Sequence, residues 1–114
     1  MKDCLFCKMA SGDIKPDMVM QNDQLIAFRD INPQAATHIL VVPRKHISTL
    51  NDLVQEDAGT IENMVSAARS IAHQEGIDIS GYRLVMNCNP EGGQTVYHIH
   101  LHLLGGRHMG WPPG

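Results

Sequence analysis

Five short apolar runs along the chain have the character of β-strands. Each is bounded by turn-forming residues, and the third, rich in β-branched side chains, ends at Pro43, which has no N–H to donate to a sheet. The first two flank Asn22-Asp23, a dipeptide that favours a turn, so they form a predicted hairpin. The predicted strands are 18–21, 25–29, 38–42, 82–87 and 96–104.

One longer segment has the periodicity of an amphipathic α-helix. Between residues 55 and 75, apolar side chains recur at helical spacing on one face, and Gly76 is suited to cap the C-terminal end. A short helix is predicted at 4–11, ended by Gly12. The apolar face of the long helix comprises Ala58, Ile61, Met64, Val65, Ala68, Ile71 and Ala72.

Together these elements predict an α+β fold. Short connections favour antiparallel pairing, which gives a five-stranded, mostly antiparallel sheet with the long helix packed on one face. The length of 114 residues fits a single domain over 1–114.

Composition narrows the possible partners. The formal net charge is -3 and no basic run is present, so we expect neither a nucleic-acid partner nor a membrane partner.

No apolar stretch approaches the roughly 18–20 residues that span a bilayer, and no apolar segment follows Met1-Lys2-Asp3, so a cytoplasmic location is expected. Three cysteines, an odd number, argue against a disulfide framework.

Three histidines at alternate positions are the most unusual feature. On a strand, His98, His100 and His102 would share one face while the intervening apolar residues point to the core. Such a cluster can hold a metal, supply a nucleophile and acid/base groups, bind an anion, or simply form a solvated face. The preceding Gly92-Gly93 pair permits close approach of a ligand and predicts an anion-binding nest of backbone amides.

The sequence resembles the histidine triad family, in its nucleotide-binding branch. Residues 98–104 match the signature of three alternating histidines followed by two apolar residues, and the likeness covers essentially the whole chain. The other matching segments are 27–35, 37–38, 43–47, 81–83, 92–97 and 111–114.

The resemblance implies hydrolysis of purine nucleoside phosphoramidates, in which AMP or a similar nucleotide is joined through phosphorus to an amine. His100 would be the nucleophile, forming a covalent nucleotidyl-histidine, with its second nitrogen donating to an acceptor that the sequence does not identify. His102 would stabilise charge on the phosphate, His38 would support the site as an acid/base or hydrogen-bonding group, and Thr95 would donate to the phosphate or leaving group. No catalytic metal is required, and a homodimer is expected.

The resemblance also implies the nucleotide contacts. Asp30 would accept hydrogen bonds from the ribose hydroxyls, although a turn cap is its ordinary role. Apolar residues that could equally be core would form the base pocket, and the tail with Trp111 would approach the partner's active site. The remaining expected contacts are Leu5, Phe6, Met9, Phe28, Ile31, Asn87, Gly93, Gln94 and Val96.

A separate signal is Cys4-x-x-Cys7, a spacing that suits a tetrahedral zinc. His46 and His98 are the best candidates for the other two ligands, a pattern that some histidine triad proteins share. Such a closed site would be structural and would make His98 a ligand instead of a catalyst. Two reduced thiols without metal are the alternative.

Two other functions fit the same residues. One is hydrolysis of dinucleoside polyphosphates, another activity of the superfamily, although the glycine loop Gly92-Gly93-Gln94-Thr95 and the 111–114 end fit phosphoramidases better. The other is a non-catalytic adaptor that binds zinc and nucleotide.

Overall fold

The fold is built on a single antiparallel sheet of five strands. The structure is a computed structural model and describes residues 3–114. Strand order is β1-β2-β3-β5-β4, with each neighbouring pair antiparallel, which confirms the predicted α+β architecture. The strands are β1 Met18–Gln21, β2 Leu25–Arg29, β3 Thr37–Pro43, β4 Tyr82–Val85 and β5 Leu101–Gly105; the helices are α1 Leu5–Ser11, α2 Ala58–Gln74 and the one-turn α3 Asn89–Gly92.

Each face of the sheet is covered by a different helix. Alternation along β3 places Ile39 and Val41 on one face with Met64 and Ala68 of α2. On the other face, Leu40 and Val42 pack in a second cluster with Phe6 of α1. The centre of the sheet is therefore buried on both sides, and every residue of β3 is buried.

The short helix α1 has strong end signals in the sequence. Its N-cap is Cys4, whose sulfur accepts from the backbone N–H of Cys7, and it ends at Gly12 with φ of 90°. A left-handed residue at this position favours glycine because it has no Cβ. The prediction of a helix ended by Gly12 is confirmed.

Helix α2 begins slightly later than its periodicity predicts. Residues 55–57 form a 3₁₀ turn, in which the Asp57 carboxylate accepts from the N–H of Val54 and from Lys45 Nζ. The C-terminal end is as predicted, with Gly76 at φ of 74°. Within residues 3–114, no helix combines the length and the apolar character needed to cross a membrane.

The prediction for the histidine strand is partly wrong. The strand was expected at 96–104, but β5 is Leu101–Gly105, so His98 and His100 precede the strand and only His102 lies in it. Leu101 pairs with Val41, and continuing this register places Ile99 opposite Pro43, which has no N–H to offer. The Ile99 N–H instead donates to Ile47 O at 2.8 Å. The other late strand is also shorter, since β4 ends at Val85.

Neighbouring positions on α2 provide a test of its packing. Met64 is 0% exposed and Val65, predicted on the same apolar face, is 44% exposed. We expect Met64→Ala to lower the free energy of unfolding by about 2–4 kcal/mol because it leaves a core cavity. Val65→Ala should change it by less than about 1 kcal/mol. Urea titration of both variants measures this, and equal losses would contradict the assigned face.

Candidate active site and metal cluster

The histidines converge on the sheet face covered by α1. His102 in β5 lies opposite Leu40 in β3, which places His38 on the same face one alternate position away. His38 Nε2 is 3.0 Å from His102 Nδ1. The rings of His100 and His102 are 5.0 Å apart between centroids, so the three imidazoles form one connected group.

Hydrogen bonds from the backbone assign the proton on His38. The N–H of Gln34 donates to His38 Nδ1 at 3.0 Å, so the neutral ring carries its proton on Nε2. That Nε2–H faces His102 Nδ1, with Asp30 Oδ2 at 3.5 Å. His102 therefore accepts at Nδ1 and keeps a donor N–H on Nε2. The same proton disfavours a metal among Asp30, His38 and His102, although their ligand atoms lie within 4.8 Å of one another.

His100 has the opposite tautomer. Its Nδ1–H donates to the carbonyl oxygen of His98 at 2.8 Å, which leaves the lone pair on Nε2. The ring is only 8% exposed and packs edge-on against Phe6, with centroids 5.0 Å apart. An imidazole held in this way has one ring nitrogen, Nε2, whose lone pair is free to act as a nucleophile.

Burial keeps these rings uncharged near neutral pH. Desolvation by burial is the main cause that lowers the pKa of His100. It also lowers the pKa of His38, where it outweighs the negative charge of Asp30, which acts to raise that pKa. Burial, together with neighbouring His100 and His38, lowers the pKa of His102 to about 4. The tautomers above are therefore those of the protein at pH 7.

A second cluster lies on the other side of His98. Its Nδ1 is 3.2 Å from Nδ1 of His46 and 3.3 Å from Sγ of Cys4, and Sγ of Cys7 is 3.3 Å from Nδ1 of His46. Tetrahedral zinc has edges of about 3.3 Å between two nitrogens and about 3.6 Å between nitrogen and sulfur. The four predicted ligands, Cys4, Cys7, His46 and His98, therefore fit a zinc ion.

The outer nitrogens of both histidines are engaged as a metal site requires. His98 Nε2 donates to Pro43 O at 2.7 Å, and His46 Nε2 lies 3.1 Å from Ser48 Oγ. With a proton on each Nε2, donated by His98 to Pro43 O and by His46 to Ser48 Oγ, both Nδ1 atoms carry the lone pairs that a metal requires. Burial raises the pKa of the Cys7 thiol, so this residue must lose a proton when a metal binds.

Comparison with known proteins agrees with this arrangement. Residues 3–111 match the family described as scavenger mRNA decapping enzyme C-term binding. Purine nucleoside phosphoramidase of Escherichia coli K12 is 50% identical over 109 residues, which cover 96% of this chain and 92% of that protein. A HIT family hydrolase from Legionella pneumophila has a TM-score of 0.97 at 54% identity, covering 98% of this chain and 100% of the other.

The chain belongs to the histidine triad family. Within this family, the 14 kDa zinc-binding protein of Brassica juncea is 42% identical over 114 residues, covering 98% of this chain and all of that one. The name of that relative says that it binds zinc. In this histidine triad protein, a suitable set of zinc donors is provided by Cys4, Cys7, His46 and His98.

The glycine loop of this histidine triad protein differs from its prediction. Instead of an open loop, residues 89–92 form α3, which ends at Gly93 with φ of 88°. The N–H of Gly93 donates to Pro90 O and that of Gln94 to Asn89 O. Because these two N–H groups donate to carbonyls of α3, they do not form the predicted anion-binding nest.

The Gln94 side chain supports the loop through hydrogen bonds within the protein. It is 5% exposed, and its Oε1 accepts from the N–H of Asn89 at 2.9 Å. Its Nε2 donates to Ser48 O at 2.7 Å and to Val96 O at 3.1 Å. Both polar atoms of the Gln94 side chain are therefore hydrogen-bonded within the protein, next to Thr95 in the chain.

The expected base-pocket residues separate into buried and exposed groups. Phe6 and Phe28 are buried edge-to-face at 5.6 Å, with Met9 against the same cluster. Leu5 is 40% exposed and Ile31 99% exposed, so these two do not line an enclosed cavity within the described chain.

The remaining expected contacts lie at the edges of the site. Asp30 Oδ1 accepts from the N–H of Asn32 at 2.8 Å, the turn-capping role considered for it. A Cβ built on Gly93 would lie 3.9 Å from Nδ2 of Asn87, which places that amide beside the loop. Trp111 is 85% exposed on a tail tied down where Arg83 donates to Gly110 O.

Several groups that organise the site are backbone atoms that motif analysis does not reveal. They are the carbonyls of His98 and Pro43 and the N–H of Gln34, and any residue type could provide them. Ser48 is a side chain that belongs to no recognised motif; its position two residues after His46 is the one signal for it in the sequence.

Proposed function

We propose that this protein is a nucleotide hydrolase that cleaves the P–N bond of purine nucleoside phosphoramidates through a covalent nucleotidyl-His100 intermediate. The observation that carries the proposal is the hydrogen bond from His100 Nδ1–H to His98 O, because it fixes Nε2 as the attacking atom. The E. coli relative named as a purine nucleoside phosphoramidase supports the substrate class.

In the first step, His100 Nε2 attacks the α-phosphorus and the P–N bond breaks. The amine leaves with the electron pair of that bond and takes one proton from solvent through the Thr95 hydroxyl. Because Nδ1 keeps its proton, the ring becomes a positively charged nucleotidyl-imidazolium. The His98 carbonyl oxygen stabilises that charge.

In the second step, water attacks phosphorus and the bond to His100 Nε2 breaks. The electron pair returns to Nε2, the water proton passes to solvent, and the nucleotide monophosphate departs. The positive charge on the ring makes it a good leaving group. The sum of the two steps is consumption of one water per P–N bond.

Stabilisation of the transferring phosphate is assigned to His102. Its Nε2–H, maintained by the hydrogen bond between His38 and His102 Nδ1, donates to the phosphate oxygens. Asp30 binds the ribose hydroxyls with its half-buried carboxylate, and Asn87, Gly93 and Val96 make further contacts to the nucleotide. The base, adenine or guanine, packs against Met9, Leu5 and the edge of the Phe6–Phe28 cluster, beside Ile31.

Zinc is assigned to Cys4, Cys7, His46 and His98, a closed set in which the ion ties α1 to the sheet and takes no part in bond cleavage. We also propose a homodimer in which Trp111 of the exposed tail reaches the partner's site. Sedimentation of a stable monomer would count against this part.

The test compares two nucleotide substrates. We expect efficient release of AMP from an adenosine 5′-phosphoramidate and much slower turnover of a diadenosine polyphosphate, measured by chromatography of the products. Cleavage of the polyphosphate alone would move the protein to a different branch of the family. AMP binding without any hydrolysis would identify an adaptor instead.

A further inference from the structure

One residue belongs to both clusters. His98 is 0% exposed and uses its ring toward the metal ligands, with Nδ1 at 3.3 Å from Cys4 Sγ and 3.5 Å from Cys7 Sγ. Its backbone carbonyl accepts the Nδ1–H of His100. The orientation of the nucleophile therefore depends on a carbonyl whose own residue is held by the metal cluster.

A second link joins the same two regions. Ser48 lies beside metal ligand His46, with Oγ at 3.1 Å from its Nε2, and the carbonyl of Ser48 accepts from Gln94 Nε2. Gln94 holds Val96 O with the same nitrogen. The segment that carries Thr95 is thus attached to the segment that carries His46.

The helix α1 adds a packing contact to these two links. Cys4 and Cys7 lie at its start, and Phe6 between them packs edge-on against both His98 and His100, at 6.0 and 5.0 Å between centroids. A ligand set that fixes α1 also fixes the ring that covers the nucleophile.

We propose that metal loading of the Cys4-Cys7-His46-His98 cluster and nucleotide binding are thermodynamically coupled, with His98 and Gln94 as the positioning residues that connect them. This inference rests on the proposed function, since it takes His100 and Thr95 as the groups that contact the nucleotide. Neither positioning residue touches the reacting phosphorus. Coupling of this kind is reciprocal, so nucleotide must also change the affinity for metal.

The experiment measures zinc affinity of the full chain by competition with a chromophoric chelator, with and without saturating AMP. We expect AMP to tighten zinc binding by about fivefold or more, the usual lower range of coupling between two sites. With Co²⁺ in place of zinc, the visible absorption bands should shift when AMP is added. A zinc affinity and a Co²⁺ spectrum that do not respond to AMP would overturn the coupling.

Gln94→Glu tests the second link. Glutamate keeps the acceptor for the N–H of Asn89 but loses the donors to Ser48 O and Val96 O. We expect one metal per chain as in the wild type, a smaller effect of AMP on zinc affinity, and a fall in kcat larger than the rise in KM. Gln74→Glu, the same change at an exposed position of α2, is the matched control and should behave as wild type.

The two proposals fail in different ways. Phosphoramidate hydrolysis with a zinc affinity that ignores AMP would refute the coupling and leave the proposed function standing. A zinc affinity that depends on AMP, in a protein that hydrolyses no phosphoramidate, would support the coupling and refute the proposed function. If Gln94→Glu does not fold, the wild-type measurements still decide, because they need no substitution.

Discussion

His100→Asn is expected to lower kcat for an adenosine 5′-phosphoramidate by about a thousandfold or more while AMP binding changes by less than about tenfold. The substitution removes the nucleophilic Nε2 but keeps a polar group of similar size in a buried site. The other contacts proposed for the nucleotide, including those of Asp30 and His102, are left in place, so the loss is expected to fall on the chemical step.

Steady-state turnover and calorimetric AMP titration measure these two quantities. His73→Asn is the control, because His73 is an exposed residue near the end of α2 whose ring bonds Asp78 at 2.8 Å, and its turnover should match wild type. Rapid quench of wild type in alkaline denaturant, where the P–N bond of a nucleotidyl-histidine is stable, should trap a labelled nucleotidyl-protein, and His100→Asn should give none. Near-normal turnover in His100→Asn would refute the nucleophile assignment.

Removal of metal is expected to lower the melting temperature by about 10 °C or more. A bound structural zinc contributes directly to folding stability, and each kcal/mol lost corresponds to about 4–8 °C for a domain near this size. The proposed metal ligands come from the start of α1, from the segment after β3 and from the segment before β5, so removal of the metal would release elements that are distant in sequence.

Differential scanning calorimetry of protein dialysed against a chelator measures the shift, and added zinc should restore the original melting temperature. Cys4→Ser should reproduce the metal-free state without chelator. Cys88→Ser is the matched control, since Cys88 is outside the cluster. Identical melting temperatures with and without metal would contradict a structural role.

Local patterns predict most of the fold because they depend on neighbouring residues. The hairpin at Asn22-Asp23, the glycine that ends α1 and the apolar face of α2 all follow from local conformational preference and periodicity. The strand through the histidines was only partly predicted. The limit of β5 is set by Pro43, a residue on another strand, and a sequence pattern does not show which residue lies opposite.

The sequence by itself determined which chemistry the protein carries: three alternating histidines, a CxxC pair and a glycine loop, with a resemblance that names their family. Only the tertiary structure decided which ring nitrogen of each histidine carries the proton and which has the free lone pair. The carbonyl of His98 gives His100 its free Nε2, and the Gln34 N–H acts through His38 to give His102 the opposite tautomer. The physical reason is that a tautomer depends on which donor or acceptor faces each ring nitrogen, and those partners are backbone groups that chain folding alone brings into place.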